Sequence, residues 1–338
     1  MPDAKRYSQI LLLVALTAIS SAVALSFTLD PYRVAHPLLG EFRFLPNNRV
    51  PKLRFLSGNC VNYDAYFVGD SRSATLSARD LASSRGYRFY NLSTPSDDVA
   101  SITRRLEFLL QRGCPVSTVI LDESVDVLLD DKQTRAYALL LRESPMITRE
   151  NWIAFYSRYF LSIQSLTTYY SALHQGPITR QIYYQDGHAD YQWGMPDGSS
   201  FLSASCAAPS LTRNQRLLLP GRLAGYRELA RLAQQYRFRL LVWIAPLNRR
   251  ESSILDDPDI ATFLHELAAI PGLHVIEAER DSALLADFHY WHDCGHFRRE
   301  LFDQLVAPAI GRLLATPEDQ VMVRSRSAEM PSEPSPSR

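Results

Sequence analysis

Between residues 61 and 315 the chain alternates short apolar bursts with longer stretches that carry an apolar residue every third or fourth position. The bursts at 63–68, 87–92, 117–121, 239–244 and 273–277 are rich in β-branched and aromatic residues and predict buried strands. Helical spacing predicts helices over 74–84, from an Asp97 or Asp98 cap to Gln111, and over 221–236, 259–269 and 297–314. In the second of these, Ile102, Leu106, Leu109 and Leu110 share a face, and Gly113 is a fitting stop. Strands alternating with helices predict an α/β domain with a mostly parallel, doubly wound sheet.

One region breaks the alternation. Residues 125–217 read as a helical and loop insertion, longer than a plain connection. It holds helical stretches at about 134–142 and 150–173, then a Tyr- and Gly-rich hairpin or lobe of loops, QIYYQDGHADYQWGMPDGSSF. Trp152, Phe155, Tyr156, Tyr159, Phe160, Ile163, Leu166, Tyr170 and Leu173 form an apolar stripe, read as a cap helix packing on the sheet. Its alternative is an aromatic shelf for a sugar ring or acyl chain, a role that Tyr183, Tyr184, Tyr191 and Trp193 fit better because they lie in the lobe.

Residues 10–29 carry no charge and are long enough to cross the roughly 30 Å hydrocarbon core. Lys5 and Arg6 precede the run and Asp30 follows it, which predicts a cytoplasmic segment 1–9, a single-pass anchor and an exported domain. A signal peptide cleaved after Ala22-Val23-Ala24 is the alternative. Residues 30–60, dotted with proline, read as a stalk that drapes onto the domain, and residues 316–338, rich in Ser, Pro and charge, as a disordered tail. With 36 basic and 36 acidic residues there is no field of one sign to gather phosphates, so nucleic acid is not an expected partner. Of four cysteines, Cys60 and Cys114 each precede a predicted strand. If those strands are neighbours the two can bridge; free buried thiols are the alternative.

The chemistry-bearing stretch is YFVGDSRSATL, residues 66–76: an apolar strand, a Gly69-Asp70-Ser71 turn, then a helix-competent segment. This arrangement lifts the Ser71 hydroxyl onto the carboxyl edge of a parallel sheet, where open α/β folds bind ligands. A serine there needs a base. Asp293-Cys294-Gly295-His296 offers one, since the three-residue spacing can set the carboxylate on Nδ1 and leave Nε2 for the serine.

On these residues the chain resembles the SGNH (GDSL-type) hydrolases and acyltransferases. Gly69 to Ser73 (GDSRS) is similar to their first block and Asp293-x-x-His296 to their last, with the likeness running over residues 63–314 apart from the insertion. The resemblance implies a flavodoxin-like three-layer α/β/α sandwich and a Ser71–His296–Asp293 mechanism with no cofactor. It also implies ester or acyl-transfer chemistry between an acyl donor and water or a carbohydrate acceptor. At the second block Ser96 stands at the glycine's offset, and at the third Ser124 stands near the asparagine's, so Ser71, Ser96 and Ser124 are the oxyanion candidates. Asn91, Tyr183, Tyr184 and Trp193 are the candidate substrate contacts. The N-terminal span with Asp30-Pro31-Tyr32 resembles the membrane-tethered branch of that family, placing the domain outside the cytoplasmic membrane beside envelope polysaccharide machinery.

Two further readings stand beside this one. His289, His292, His296, Asp287, Asp293 and Cys294 crowd together, so a metal site competes with the serine reading, although Gly295 and the aromatic neighbours favour a loop without metal. A fold-retaining, non-catalytic component of a polysaccharide assembly or export system is the other class of function.

Overall fold

The structure, a computed structural model, describes residues 2–42, 46–77, 86–125, 138–165, 167, 170, 179–193, 213–277, 282–293 and 295–314. The chain begins with helix α1 (Pro2–Leu29), of which Ala4–Leu29 is long and apolar enough to cross a membrane. Asp30 ends it at a positive φ of 35° and folds its carboxylate back onto the N–H groups of Val34, Ala35 and His36, at 2.8 to 3.0 Å. A short strand β1 (Gly40–Phe42) and helix α2 (Arg49–Asn59) follow.

Segment 30–60 does lie on the domain, but it is more than a draped stalk, since it carries β1 and α2. Val50, Leu53 and Leu56 of α2 are wholly buried and belong to the protein's interior. The sequence hid this because basic and polar residues (Arg49, Lys52, Arg54, Ser57, Asn59) and Pro51 break up the apolar positions of α2.

The main sheet has five parallel strands: β2 (Ala65–Val68), β3 (Phe89–Asn91), β4 (Thr118–Glu123), β7 (Arg239–Ile244) and β8 (Leu273–Glu277), in the order β3-β2-β4-β7-β8. Side chains alternate between its faces, as a pleated strand requires. Tyr66, Val68, Val119, Leu121, Leu240 and Val242 point to one layer, with α2, α3 (Val99–Gln111), α5 (Arg213–Tyr236) and α6 (Pro258–Ala268). Ala65, Phe67, Ile120, Leu241 and Trp243 point to the other, against Trp291, Phe297, Phe302 and helix α7 (Ala307–Leu314). The strands expected at 239–244 and 273–277 fall on β7 and β8, and Asp98 caps α3 by accepting from Ser101 N.

The remaining three strands form a separate antiparallel sheet, β1-β5-β6, in which hairpin β5 (Thr179–Tyr183) and β6 (Ala189–Trp193) takes β1 as its edge. The expected hairpin is thus present, but it is completed from the segment read as a stalk. Phe42, Tyr183 and Ala189 close on Ala74, so this small sheet braces the turn that follows Ser71.

Helix α4 (Trp152–Phe160) buries Phe155, Tyr159 and Phe160 against Tyr32, Val34 and Val50 and against Val23 of α1. The cap helix accordingly packs on the end of α1 rather than on the sheet. Other boundaries move for local reasons. Helix α5 starts at Arg213, with Pro220 inside it, because burial of Leu219 and Leu223 outweighs the proline's preference to begin a helix. The last helical stretch starts at Arg299, since Phe297 is held in a bridge with Trp291, and its middle turn Phe302–Val306 is a π turn. Residues 78–84 of the helix expected at 74–84 lie outside the described residues. So do 134–137, 166, 168–169 and 171–173 of the insertion helices, Cys206, Cys294 and the tail.

Candidate active site

Gly69 ends β2 at φ +148°. A Cβ there would lie 2.5 Å from Asp122 Cβ and 2.6 Å from Ser73 Oγ, so only glycine lets the chain pass this close to β4 and turn. The turn is tied from several sides. Asp70 Oδ1 accepts from Arg72 N at 2.8 Å, Asp122 Oδ2 from Ser73 N at 3.2 Å, and Gly69 O from Thr94 N at 2.9 Å. Asn91 Nδ2 donates to Ser73 O and Leu76 O at 2.6 and 2.9 Å, and its Oδ1 accepts from Ser93 N. Ser71 is thereby presented, half-buried, at the carboxyl edge of the sheet.

The second half of the site is a closed loop. The Trp291–Phe297 bridge and the 2.8 Å bond from His292 N to His296 O pinch residues 291–297 together. Inside it, Asp293 Oδ1 accepts from Gly295 N at 2.8 Å and from His296 N at 2.7 Å, which fixes the carboxylate. Both its oxygens lie 2.9 Å from His296 Nδ1, and His296 Nε2 lies 2.7 Å from Ser71 Oγ. The two halves are clamped by Arg72, a buried arginine whose Nε donates to Gly295 O.

Electrostatics agree with this arrangement. Burial works against the Asp293 carboxylate, but the His296 ring and the two backbone N–H groups outweigh it and hold its pKa below the ordinary carboxylate range. Burial, helped by Arg298 and His296, lowers His292 to about 4, so this second imidazole is neutral at pH 7. Beneath the turn, burial and the Asp70 charge push Asp122 well above the usual carboxylate range. Chemically, such a set can pass a proton from the serine to Nε2 while the carboxylate steadies the imidazolium.

The other expected residues are placed differently. Ser124 is buried with no partner for its Oγ; it lines a small cavity with Asp70, Asp97, Asp122 and Glu123, and neither Ser71 nor His296 borders that cavity. Its hydroxyl is thus not aimed at the reacting oxygen. Ser96 is exposed, with a strained φ of 47°, and its carbonyl accepts from Arg49 Nη2. Asn91 spends its amide on the turn and is a brace rather than a substrate contact. Tyr183 is buried, its OH on Gln181, and also packs rather than faces substrate. Tyr184 stacks on His188 at 4.1 Å and borders an apolar cavity of about 260 Å³ with Lys52, Phe55 and Tyr90, away from Ser71. Trp193 belongs to β6, but its side chain lies outside the described residues.

Among the described residues no group of three or more His, Cys, Asp or Glu is placed to hold a metal ion. His289 lies exposed at the surface. Cys60 and Cys114 form a disulfide at the amino edge of the sheet, far end from the Ser71 turn.

The roles of Arg72, Asp122 and Asn91 were not read from the sequence. An arginine in a Gly-Asp-Ser turn and an acid closing a β-branched strand were the available signals. Neither a protein-family model nor a curated protein matches the sequence.

Proposed function

We propose that the chain is an exported, membrane-anchored serine esterase or O-acyltransferase of SGNH type, with a flavodoxin-like sandwich as its scaffold. The observation that carries this reading is the continuous Asp293–His296–Ser71 hydrogen-bonded series, at 2.9 and 2.7 Å, assembled from segments more than two hundred residues apart. Ser71 Oγ adds to the carbonyl carbon of an acyl ester as its proton moves to His296 Nε2. The ester C–O bond then breaks, and Nε2 returns the proton to the leaving alkoxide, giving a Ser71 acyl-enzyme. Water or a sugar hydroxyl repeats the sequence in reverse and frees Ser71. The Ser71 N–H, with Ser96, supports the oxyanion; with Ser124 turned elsewhere, one donor fewer predicts slow turnover, by on the order of 10²–10³. The acyl groups of a cell-envelope polysaccharide are the substrate class, and the anchor keeps the domain on the extracytoplasmic face of the membrane.

The test is labelling of the full chain in detergent with a fluorophosphonate. Wild type should label and Ser71→Ala should not; undiminished labelling of Ser71→Ala refutes the assignment.

A further inference from the structure

The end of α1 and the surface of α4 form one apolar surface. At about 1.5 Å per residue, the 26 residues Ala4–Leu29 span about 39 Å, some 9 Å more than a hydrocarbon core of about 30 Å. With Lys5 and Arg6 held at the cytoplasmic headgroups, Val23 and Phe27 fall at the outer hydrocarbon boundary. These are the residues against which α4 packs: the Phe27 ring meets Phe160 edge-on at 5.2 Å, and Val23 joins the cluster of Phe155, Tyr159 and Phe160. From Phe160 a stacked row runs along α4 through Tyr156 to Trp152, at 5.7 and 5.6 Å. Beside that row Ile153, Leu161 and Ile163 are 79%, 60% and 78% exposed, and Trp152 is 41% exposed. Facing water, that surface forfeits roughly 25 cal/mol for each Å² it could bury. At headgroup depth it is a favourable interfacial anchor, with Trp and Tyr at the level they prefer. Arg158 of α4 and Arg142 both pair with Glu150, just before the helix, and these charges suit headgroup level.

We propose that α4 and the turn that follows it form a second, shallow membrane contact, with Trp152, Ile153, Leu161 and Ile163 seated in the outer interfacial layer of the bilayer that holds α1. The proposal rests on α1 being a retained anchor, and not on the serine chemistry. Its consequence is orientation. Tyr159 of α4 accepts a hydrogen bond from Asn47 Nδ2 at 2.9 Å, Asn47 Oδ1 accepts from Arg49 N at 3.1 Å, and Arg49 Nη2 donates to Ser96 O at 3.1 Å. Through the neighbouring Thr94, which donates to Gly69 O, this polar path ends two residues from Ser71. The contact therefore holds the Ser71 edge of the sheet at a fixed height above the lipid.

The test uses the full chain, with Cys206→Ser and Cys294→Ser, in phosphatidylcholine–phosphatidylglycerol nanodiscs. Nitroxides are placed through Ile153→Cys, Ile163→Cys and, as a control toward the opposite edge, Glu107→Cys. Oxygen should relax the probes at 153 and 163 more than a water-soluble nickel chelate does, with the order reversed at 107. Carrying a probe through Leu161→Cys, the double variant Ile153→Asp/Ile163→Asp should shift position 161 from oxygen to nickel accessibility while fluorophosphonate labelling stays unchanged. Nickel access at 153 and 163 equal to that at 107, on a chain that resists carbonate extraction, overturns the contact alone. Release of the chain by carbonate overturns the anchor and the contact with it, and neither result touches Ser71.

Discussion

Gly69→Ala is the smallest change that should dismantle the site. Its Cβ would sit 2.5 Å from Asp122 Cβ and 3.1 Å from Asp122 O, neither of which is the free end of a flexible chain. The backbone at φ +148° is itself costly for any residue but glycine, by about 1–3 kcal/mol. Overpacking against β4 adds a similar amount, about 1–3 kcal/mol. A total of roughly 2–6 kcal/mol, at about 2–4 °C per kcal/mol for a domain of this size, lowers the melting temperature by roughly 4–24 °C. Part of the strain can be relieved by moving the turn outward, which carries Ser71 away from His296; a displacement near 1 Å costs on the order of 10² in rate. Thermal unfolding of the full chain in detergent reads the first effect, and the rate of fluorophosphonate labelling well below the melting temperature reads the second. Gly311→Ala is the control, because nothing lies within 4 Å of its Cβ and it sits inside helix α7. It should stabilise the protein by about 0.5–1 kcal/mol and leave labelling alone. If Gly69→Ala melts and labels like wild type, the close packing of β2 on β4 is not what positions Ser71.

Asp293→Asn keeps the acceptor for Gly295 N and His296 N but removes the charge facing Nδ1. The labelling rate should fall by on the order of 10²–10⁴ with little change in melting temperature, and an unchanged rate would remove Asp293 from the mechanism. Lys52 is wholly buried, and burial lowers its ammonium from the usual 10.5 to about 7. Between pH 7 and 10.5 the unfolded chain holds the proton more tightly than the folded one, so stability contributed at this site rises with pH, by at most about 1.4 kcal/mol per unit. The melting temperature of wild type should therefore gain on that of Lys52→Met from pH 7 to 9, and parallel profiles would refute the burial argument. The Cys60–Cys114 bridge closes a loop of 54 residues, worth about 4 kcal/mol on the chain-entropy estimate. Paired Cys60→Ser/Cys114→Ser substitution should lower the melting temperature without altering the labelling rate per folded molecule.

The parallel sheet was readable because its strands are short β-branched bursts buried on both faces, RLLVWI being the clearest. The juxtaposition of Ser71 with His296 was readable because each lies beside an element whose place in an α/β fold is limited by right-handed crossovers. What sits between the elements was not. Helix α2 is basic and proline-containing, and its burial depends on Lys52 and Arg49 finding Ser93 O and Ser96 O, partners that only the folded chain supplies. The pairing of β1 with β5 joins residues about 140 apart through three positions, too few to leave a periodic signal. Asn91 and Tyr183 looked like site residues because polar and aromatic groups near a turn suit either role; their neighbours, Ser73 O and Phe42, decide for packing.

The central claim is that Ser71 is the nucleophile. The full chain, incubated with p-nitrophenyl acetate, quenched in acid and digested, should carry its acetyl group on the peptide containing Ser71. His296→Ala should remove the adduct. Acetylation found elsewhere, or persisting unchanged in His296→Ala, would contradict the account.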